Sequence, residues 1–272
     1  MLAGLRRVLG LDPAGPVVSL RTWRPDRRRS NFGDALSAVV VEAMLARRGL
    51  SLASPAAGPR RLLAVGSILH FAADGDVVWG SGWNGKIPAG AHRFRRLDVR
   101  AVRGPLTRAR LAGVGVTAPA LYGDPALLLP ALFGQRFPRR EEAPLLVIPN
   151  LHDLGLVADR ADVVSPFDPW DQVVDRIVRS RFVVASSLHG VIVAEAFGVP
   201  ARFVRLGQAE DPLKYQDYLA AHGREGEPVA RSIDEAVALG PMPPLRFDPA
   251  ELMAAFPYDL WPDGGVSPAS GP

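Results

Sequence analysis

The feature that most constrains this chain is an alternation. Short apolar runs, each stopping at a glycine-containing or polar turn, are followed by segments whose apolar residues recur at helical spacing. Val17–Leu20, Arg61–Val65, Val77–Trp79 and Asp98–Val102 read as strands in the first half, with a weaker run at Ala120–Tyr122. Leu145–Pro149, Phe182–Ala185 and Ala201–Val204 do so in the second. Between them, Asn31-Phe32-Gly33-Asp34 opens a helix with Leu36, Val39, Val40, Ala43 and Met44 on one face, closed by Gly49. Pro105 starts another, and Pro169–Arg179 carries a stripe of Val173, Val174, Ile177 and Val178. Val191–Phe197, Pro212–Ala221 and Ile233–Leu239 complete the set. Strands without polar alternation, joined through helices, predict parallel sheets covered on both faces. The expected fold is therefore α/β.

A chain of 272 residues lies where one hydrophobic core stops growing, so two Rossmann-like lobes are expected. The polar, Pro/Arg/Glu-rich stretch from Phe133 to Pro144 marks the break, giving lobes 1–140 and 141–272 around a central cleft. Ligands of such folds sit at the carboxyl ends of the strands. Charge divides at the same place. Residues 1–140 balance to +14 and residues 141–272 to −10, so the first lobe suits an anionic partner or the inner face of the plasma membrane. No nucleic-acid motif accompanies that charge, and no nucleic-acid partner is expected.

The absence of cysteine excludes disulfides, thiolate metal sites and cysteine nucleophiles. His70, His92, His152 and His222 have no metal-ligand spacing, so no metal is expected. No apolar run reaches 18 residues, and the first 16 residues read as an uncleaved segment of a cytoplasmic protein. The tail after Pro262 reads as frayed.

Five places carry candidate chemistry. Ser187, His189 and Gly190 follow a strand and begin a helix, where free N–H groups attract an anion and an imidazole can deliver a proton. A helix-capping role is the plainer alternative. Arg103 ends a strand before Gly104-Pro105, so its guanidinium is expected to face the cleft; a solvated surface arginine is the alternative. Asn31, Gly33 and Asp34 offer turn chemistry or hydroxyl recognition. Gly123-Asp124 has the same ambiguity. Lys214 stands out because 30 of the 32 basic residues are arginine and only Lys86 and Lys214 are lysine.

Asn31-Phe32-Gly33-Asp34-Ala35-Leu36, Gly80-Ser81-Gly82, Val102-Arg103-Gly104-Pro105-Leu106-Thr107, Gly123-Asp124-Pro125-Ala126 and Ser187-Leu188-His189-Gly190 occur in an order that resembles the polysaccharide pyruvyl transferases. Lys214-Tyr215-Gln216-Asp217-Tyr218-Leu219 is similar to the branch acting on succinoglycan-type exopolysaccharides. The resemblance implies two Rossmann-like lobes in a GT-B-like arrangement. It also implies transfer of a pyruvyl group from phosphoenolpyruvate to a glycan or lipid-linked oligosaccharide as a ketal, without a cofactor. By position, Arg103 and His189 would hold the donor. Some members carry a basic residue before Leu-His-Gly where this chain has Ser187, so one anion contact is expected from Lys214 or Arg202. A nucleotide-sugar glycosyltransferase and a non-catalytic glycan-binding protein are the rival readings.

Overall fold

The computed structural model describes residues 16–23 and 31–261. The segment before Pro16, the Arg-rich loop up to Arg29 and the tail after Pro262, each given an expectation above, lie outside them. Along the chain come β1 (Val18–Arg21), α1 (Phe32–Ala46), β2 (Arg60–Leu63), β3 (Val77–Trp79), β4 (Asp98–Ala101), α2 (Pro105–Gly113) and α3 (Leu129–Phe133). The second half holds β5 (Leu146–Ile148), α4 (Trp170–Val178), β6 (Val183–Ala185), α5 (Leu188–Ala196), β7 (Ala201–Phe203), α6 (Leu213–Ala221), α7 (Ile233–Leu239) and α8 (Pro249–Ala254).

The strands form two sheets, ordered β1-β2-β3-β4 and β5-β6-β7, with every pairing parallel. In the second sheet Val183 stands opposite both Leu146 and Ala201. Its three strands are buried throughout, as continuous apolar runs in a doubly covered sheet must be. The expected strand at Ala120–Tyr122 is reduced to a single parallel bridge from Tyr122 to Val102.

Helix α1 shows why these sequences take the form they do. Leu36, Val40, Met44 and their neighbours Val41 and Leu45 give one buried stripe at helical spacing. The helix ends where Gly49 takes a positive φ of 69°, letting Leu50 N donate back to Leu45 O.

The halves are joined by more than a tether. One core runs through both, from Phe32, Leu36 and Trp79 to Ile148, Ile177, Val191 and Phe203. Phe137, inside the expected linker, is buried against Trp170 and Phe197. The end of the chain also returns to the first lobe, although the division at 140 assigns it to the second. Trp79 Nε1 donates to Leu252 O (2.9 Å), Tyr258 Oη donates to Met44 O (2.6 Å), and Arg100 pairs with Asp259 (2.8 Å). The buried Trp79 indole N–H, cut off from water, finds its acceptor only through this return.

Candidate active site

Two helix starts meet across the cleft. On the first lobe Asn31 caps α1, its Oδ1 accepting from Gly33 N at 2.9 Å. Capping by Asn31 leaves the Asp34 carboxylate available to line the cleft. On the second lobe Ser187 caps α5, accepting from Gly190 N at 3.3 Å. Gly190 is closely packed: a Cβ would stand 3.0 Å from the side chains of Ile148 and Ala185, which would have to give way. That tight seat fixes the first turn of α5 and, with it, His189.

The imidazole is flanked on two sides, with no hydrogen bond to either. Its Nε2 lies 3.5 Å from Asp124 Oδ2, and Asp124 is fully buried, its Oδ1 accepting from Ala126 N at 3.0 Å. On the other side Gly33 abuts the ring so closely that a Cβ there would overlap Nδ1. The glycine is thus required by the histidine. Gly33→Ala favours a helix by about 0.5–1 kcal/mol elsewhere, but here it must push the ring off Asp124. The variant is expected to keep wild-type far-UV circular dichroism and lose about tenfold in turnover; unchanged turnover would show that the ring position is immaterial.

Asn31, Asp34, Ser187, His189 and Lys214 all line one cavity of about 280 Å³ between the lobes. Burial raises the Asp34 carboxyl to about 6; His189 and Lys214 oppose the rise and Asp124 adds to it. A carboxylate of that basicity can take a proton from a hydroxyl better than an ordinary one, while remaining mostly ionised at neutral pH. The α5 start offers two further donors, since the N–H groups of its first turn lack intrahelical acceptors.

Four expected residues stand elsewhere. Gly33 and Gly190 act through packing, and Asp124 stands behind His189. Arg103 does not face the cleft. It is fully buried, with Nε 3.1 Å from Asp217 Oδ2, Nη1 donating to Ser67 Oγ (2.6 Å) and Nη2 to Trp83 O (3.3 Å). Asp217 also accepts from Thr107 N and Thr107 Oγ1, at 2.8 and 2.6 Å. Arg103 and Thr107 belong to the first lobe and Asp217 to α6, so the arrangement latches the lobes together. Ser67, the serine Arg103 holds, does line the cavity.

Arg202 is likewise occupied: its guanidinium donates to the carbonyls of Gly240, Pro228 and Pro241. Of the two candidates for the extra cation, Lys214 alone reaches the cavity. Lys86, Glu210 and Ser67 line it too and are not singled out by the sequence for this site, although the rarity of lysine points to Lys86 as strongly as to Lys214; His152, which follows a strand where it could touch a ligand, lines it as well.

A second cavity of about 600 Å³ adjoins the first, sharing Asn150 and Glu210 with it. Asn150 braces the boundary. Its amide donates to Asp153 Oδ2 (2.6 Å), its N–H donates to Ser186 Oγ (3.0 Å), and Tyr215 Oη donates to Ser186 O (2.7 Å).

The profile of the family "Polysaccharide pyruvyl transferase" matches residues 31–206, from the α1 cap to the end of the second sheet. The chain is 30% identical over 214 residues to the succinoglycan biosynthesis protein ExoV of Rhizobium meliloti (strain 1021). That match covers 73% of this chain and 63% of ExoV, less than two thirds of the relative's length. A functionally uncharacterised Klebsiella pneumoniae protein of known structure superposes with a TM-score of 0.45 at 11% identity, over 82% of this chain and 93% of that one. With most of its length matched by the family profile, and with the matching segments spanning both sheets and the cleft, the chain belongs to the polysaccharide pyruvyl transferase family.

Proposed function

We propose that the chain transfers a pyruvyl group from phosphoenolpyruvate to a glycan, forming a ketal across two hydroxyls during cell-surface polysaccharide synthesis. The observation that carries the reading is the meeting of Asp34 and His189, from opposite lobes, in one cavity that also holds Lys214 and a helix start. Two opposed proton-transfer groups beside anion-binding groups are what the reaction needs.

His189 delivers a proton to the methylene carbon of the enol through Nδ1, the ring nitrogen not turned toward Asp124. Cationic character then develops at C2, and an acceptor hydroxyl attacks it while Asp34 takes the hydroxyl proton. The C–O bond to phosphate breaks, and a second hydroxyl closes the ketal. Of the two hydroxyl protons, one replaces that given to the methylene and the other leaves with the phosphate. The ammonium and backbone N–H groups stabilise the departing phosphate. No cofactor takes part in this scheme.

The adjoining cavity of about 600 Å³ gives a sugar ring room beside the donor. No helix among the described residues is long and apolar enough to cross a membrane. The positive balance of residues 1–140 suits peripheral association with an anionic membrane that carries a lipid-linked acceptor.

The test incubates the protein with phosphoenolpyruvate and a panel of glycans, following acceptor-dependent phosphate release and the mass of one added pyruvate ketal. Both are expected together. Turnover of a nucleotide sugar without either product would replace the reading with glycosyl transfer. Glycan binding without phosphate release would leave a non-catalytic module.

A further inference from the structure

The chain has 30 arginines, yet among the described residues none lines the cavity between the lobes. The permanent cations there are Lys86 and Lys214, the only two lysines in the sequence. They come from opposite lobes, Lys86 from the loop after β3 and Lys214 from the first turn of α6. Both grip one carboxylate. Lys214 Nζ lies 2.7 Å from Glu210 Oε2 and Lys86 Nζ lies 3.1 Å from Glu210 Oε1, with His152 Nε2 at 3.5 Å from that same oxygen. Each carboxylate oxygen therefore has its own ammonium.

Ion pairs elsewhere in the fold are made by arginine, as in Arg61–Asp76, Arg100–Asp259 and Arg224–Glu195. Guanidinium suits such fixed contacts, because its planar fork directs each N–H along a set line, as Arg100 does toward Asp98 and Asp259 together. An ammonium is compact and donates in three freely rotating directions, so it can exchange one oxyanion for another without rebuilding its surroundings. A pair of lysines at this one place is the arrangement expected of a site that trades partners.

Glu210 has somewhere to go. Its side chain lines both cavities, so a rotation can move its carboxylate from the smaller one into the larger. Left in place in the cavity that Asp34 also lines, it would repel an incoming dianion. Burial tends to raise the Glu210 carboxyl, but Lys214 and Lys86 outweigh it and hold the group below its ordinary range. Burial lowers Lys214, and the anion beside it resists that fall.

We infer that Lys86 and Lys214 together form the receptor for an oxyanion of the donor, and that Glu210 is a resident carboxylate which the oxyanion displaces. The pyruvyl-transfer reading supplies only the identity of the donor; the exchange itself follows from the charges. Glu210 is then a competitor for the site, and removing its charge must tighten anion binding.

Calorimetric titration with inorganic phosphate tests this on the wild type and on Glu210→Gln, Glu210→Ala, Lys86→Met and Lys214→Met, each checked by thermal melting. Both Glu210 variants are expected to bind phosphate about fivefold more tightly, because a competing charge is gone. Each lysine variant should bind about tenfold more weakly, as loss of a charge-assisted contact implies. Unchanged or weaker binding by both Glu210 variants would overturn the inference and make Glu210 a brace for the lysines. Wild-type affinity in both lysine variants would overturn it as well. Phosphoenolpyruvate should compete with phosphate for the site; competition by a sugar diphosphate instead would overturn assignment to the donor. Should phosphate behave as expected while phosphoenolpyruvate is never turned over, the exchange site stands and the proposed reaction falls. Turnover of phosphoenolpyruvate together with weakened phosphate binding in the Glu210 variants would keep the reaction and eliminate the exchange.

Discussion

Replacing Asp34 with asparagine is expected to lower turnover by roughly 10²- to 10⁴-fold, the range for loss of a general base, while making the protein more heat-stable at neutral pH. Both effects have one origin. Burial raises the Asp34 carboxyl from 3.8 to about 6, so the folded protein binds this proton more tightly than the unfolded chain. The stability associated with it is complete below pH 4 and is lost as pH rises through 6. At neutral pH the ionised group thus costs stability, about 3 kcal/mol for a shift of this size. Asparagine has the same shape and never ionises. Its advantage should show as a higher melting temperature at pH 7.5 and disappear at pH 4. Wild-type turnover should fall on the acid side with an apparent pKa near 6, and the residual activity of the variant should lack that limb. A variant that is inactive but no more stable at pH 7.5 would mean that the carboxylate is better solvated than its position implies.

The alternation of strands and helices was legible because parallel α/β sheets write themselves as uninterrupted apolar runs, such as Leu146-Val147-Ile148 and Val183-Val184-Ala185. The helix-start cluster was legible for a similar local reason. Ser187 and Asn31 announce caps, and His189 and Asp34 sit within three residues of them. Contacts between distant segments were not legible. Nothing local says that Glu210 reaches Lys86, 124 residues away in sequence, or that residues 252–259 return to β3 and α1. Arg103 shows the limit most clearly. Its position at a strand end, before Gly104-Pro105, suggested a ligand for the cleft, because ends of parallel strands usually face one. What redirects it is Asp217 on α6, which meets Thr107 and leaves no space over Gly104, where a Cβ would collide with the Asp217 carbonyl. The Gly-Pro-Leu-Thr and Tyr-Gln-Asp-Tyr segments, separate landmarks along the chain, are two halves of one inter-lobe contact.

Arg103→Ala is accordingly expected to act first on the fold. It leaves the Asp217 carboxylate with no solvent and no cation, only the two Thr107 donors, and unpairing a buried ion of this kind costs about 3–5 kcal/mol. For a domain approaching this length that corresponds to a melting temperature lower by roughly 10 °C. Lysine should not rescue it, since one ammonium cannot reach Asp217, Ser67 Oγ and the Trp83 carbonyl together. Neutralising the stranded partner should. Arg103→Met with Asp217→Asn removes the charge, keeps one carbonyl acceptor for Thr107 N and turns the amide NH2 into a donor to the Thr107 hydroxyl, and is expected to recover more than half of the lost stability. Its activity should stay reduced, because Ser67 loses the donor that holds it against the cavity. The competing assignment, in which Arg103 grips the donor directly, makes the opposite forecast: Arg103→Ala would melt close to wild type and lose only affinity for phosphoenolpyruvate. Thermal melts of the two variants beside donor titrations therefore separate a latch from a ligand, and a stable Arg103→Ala protein with weakened donor binding would return the guanidinium to the cleft.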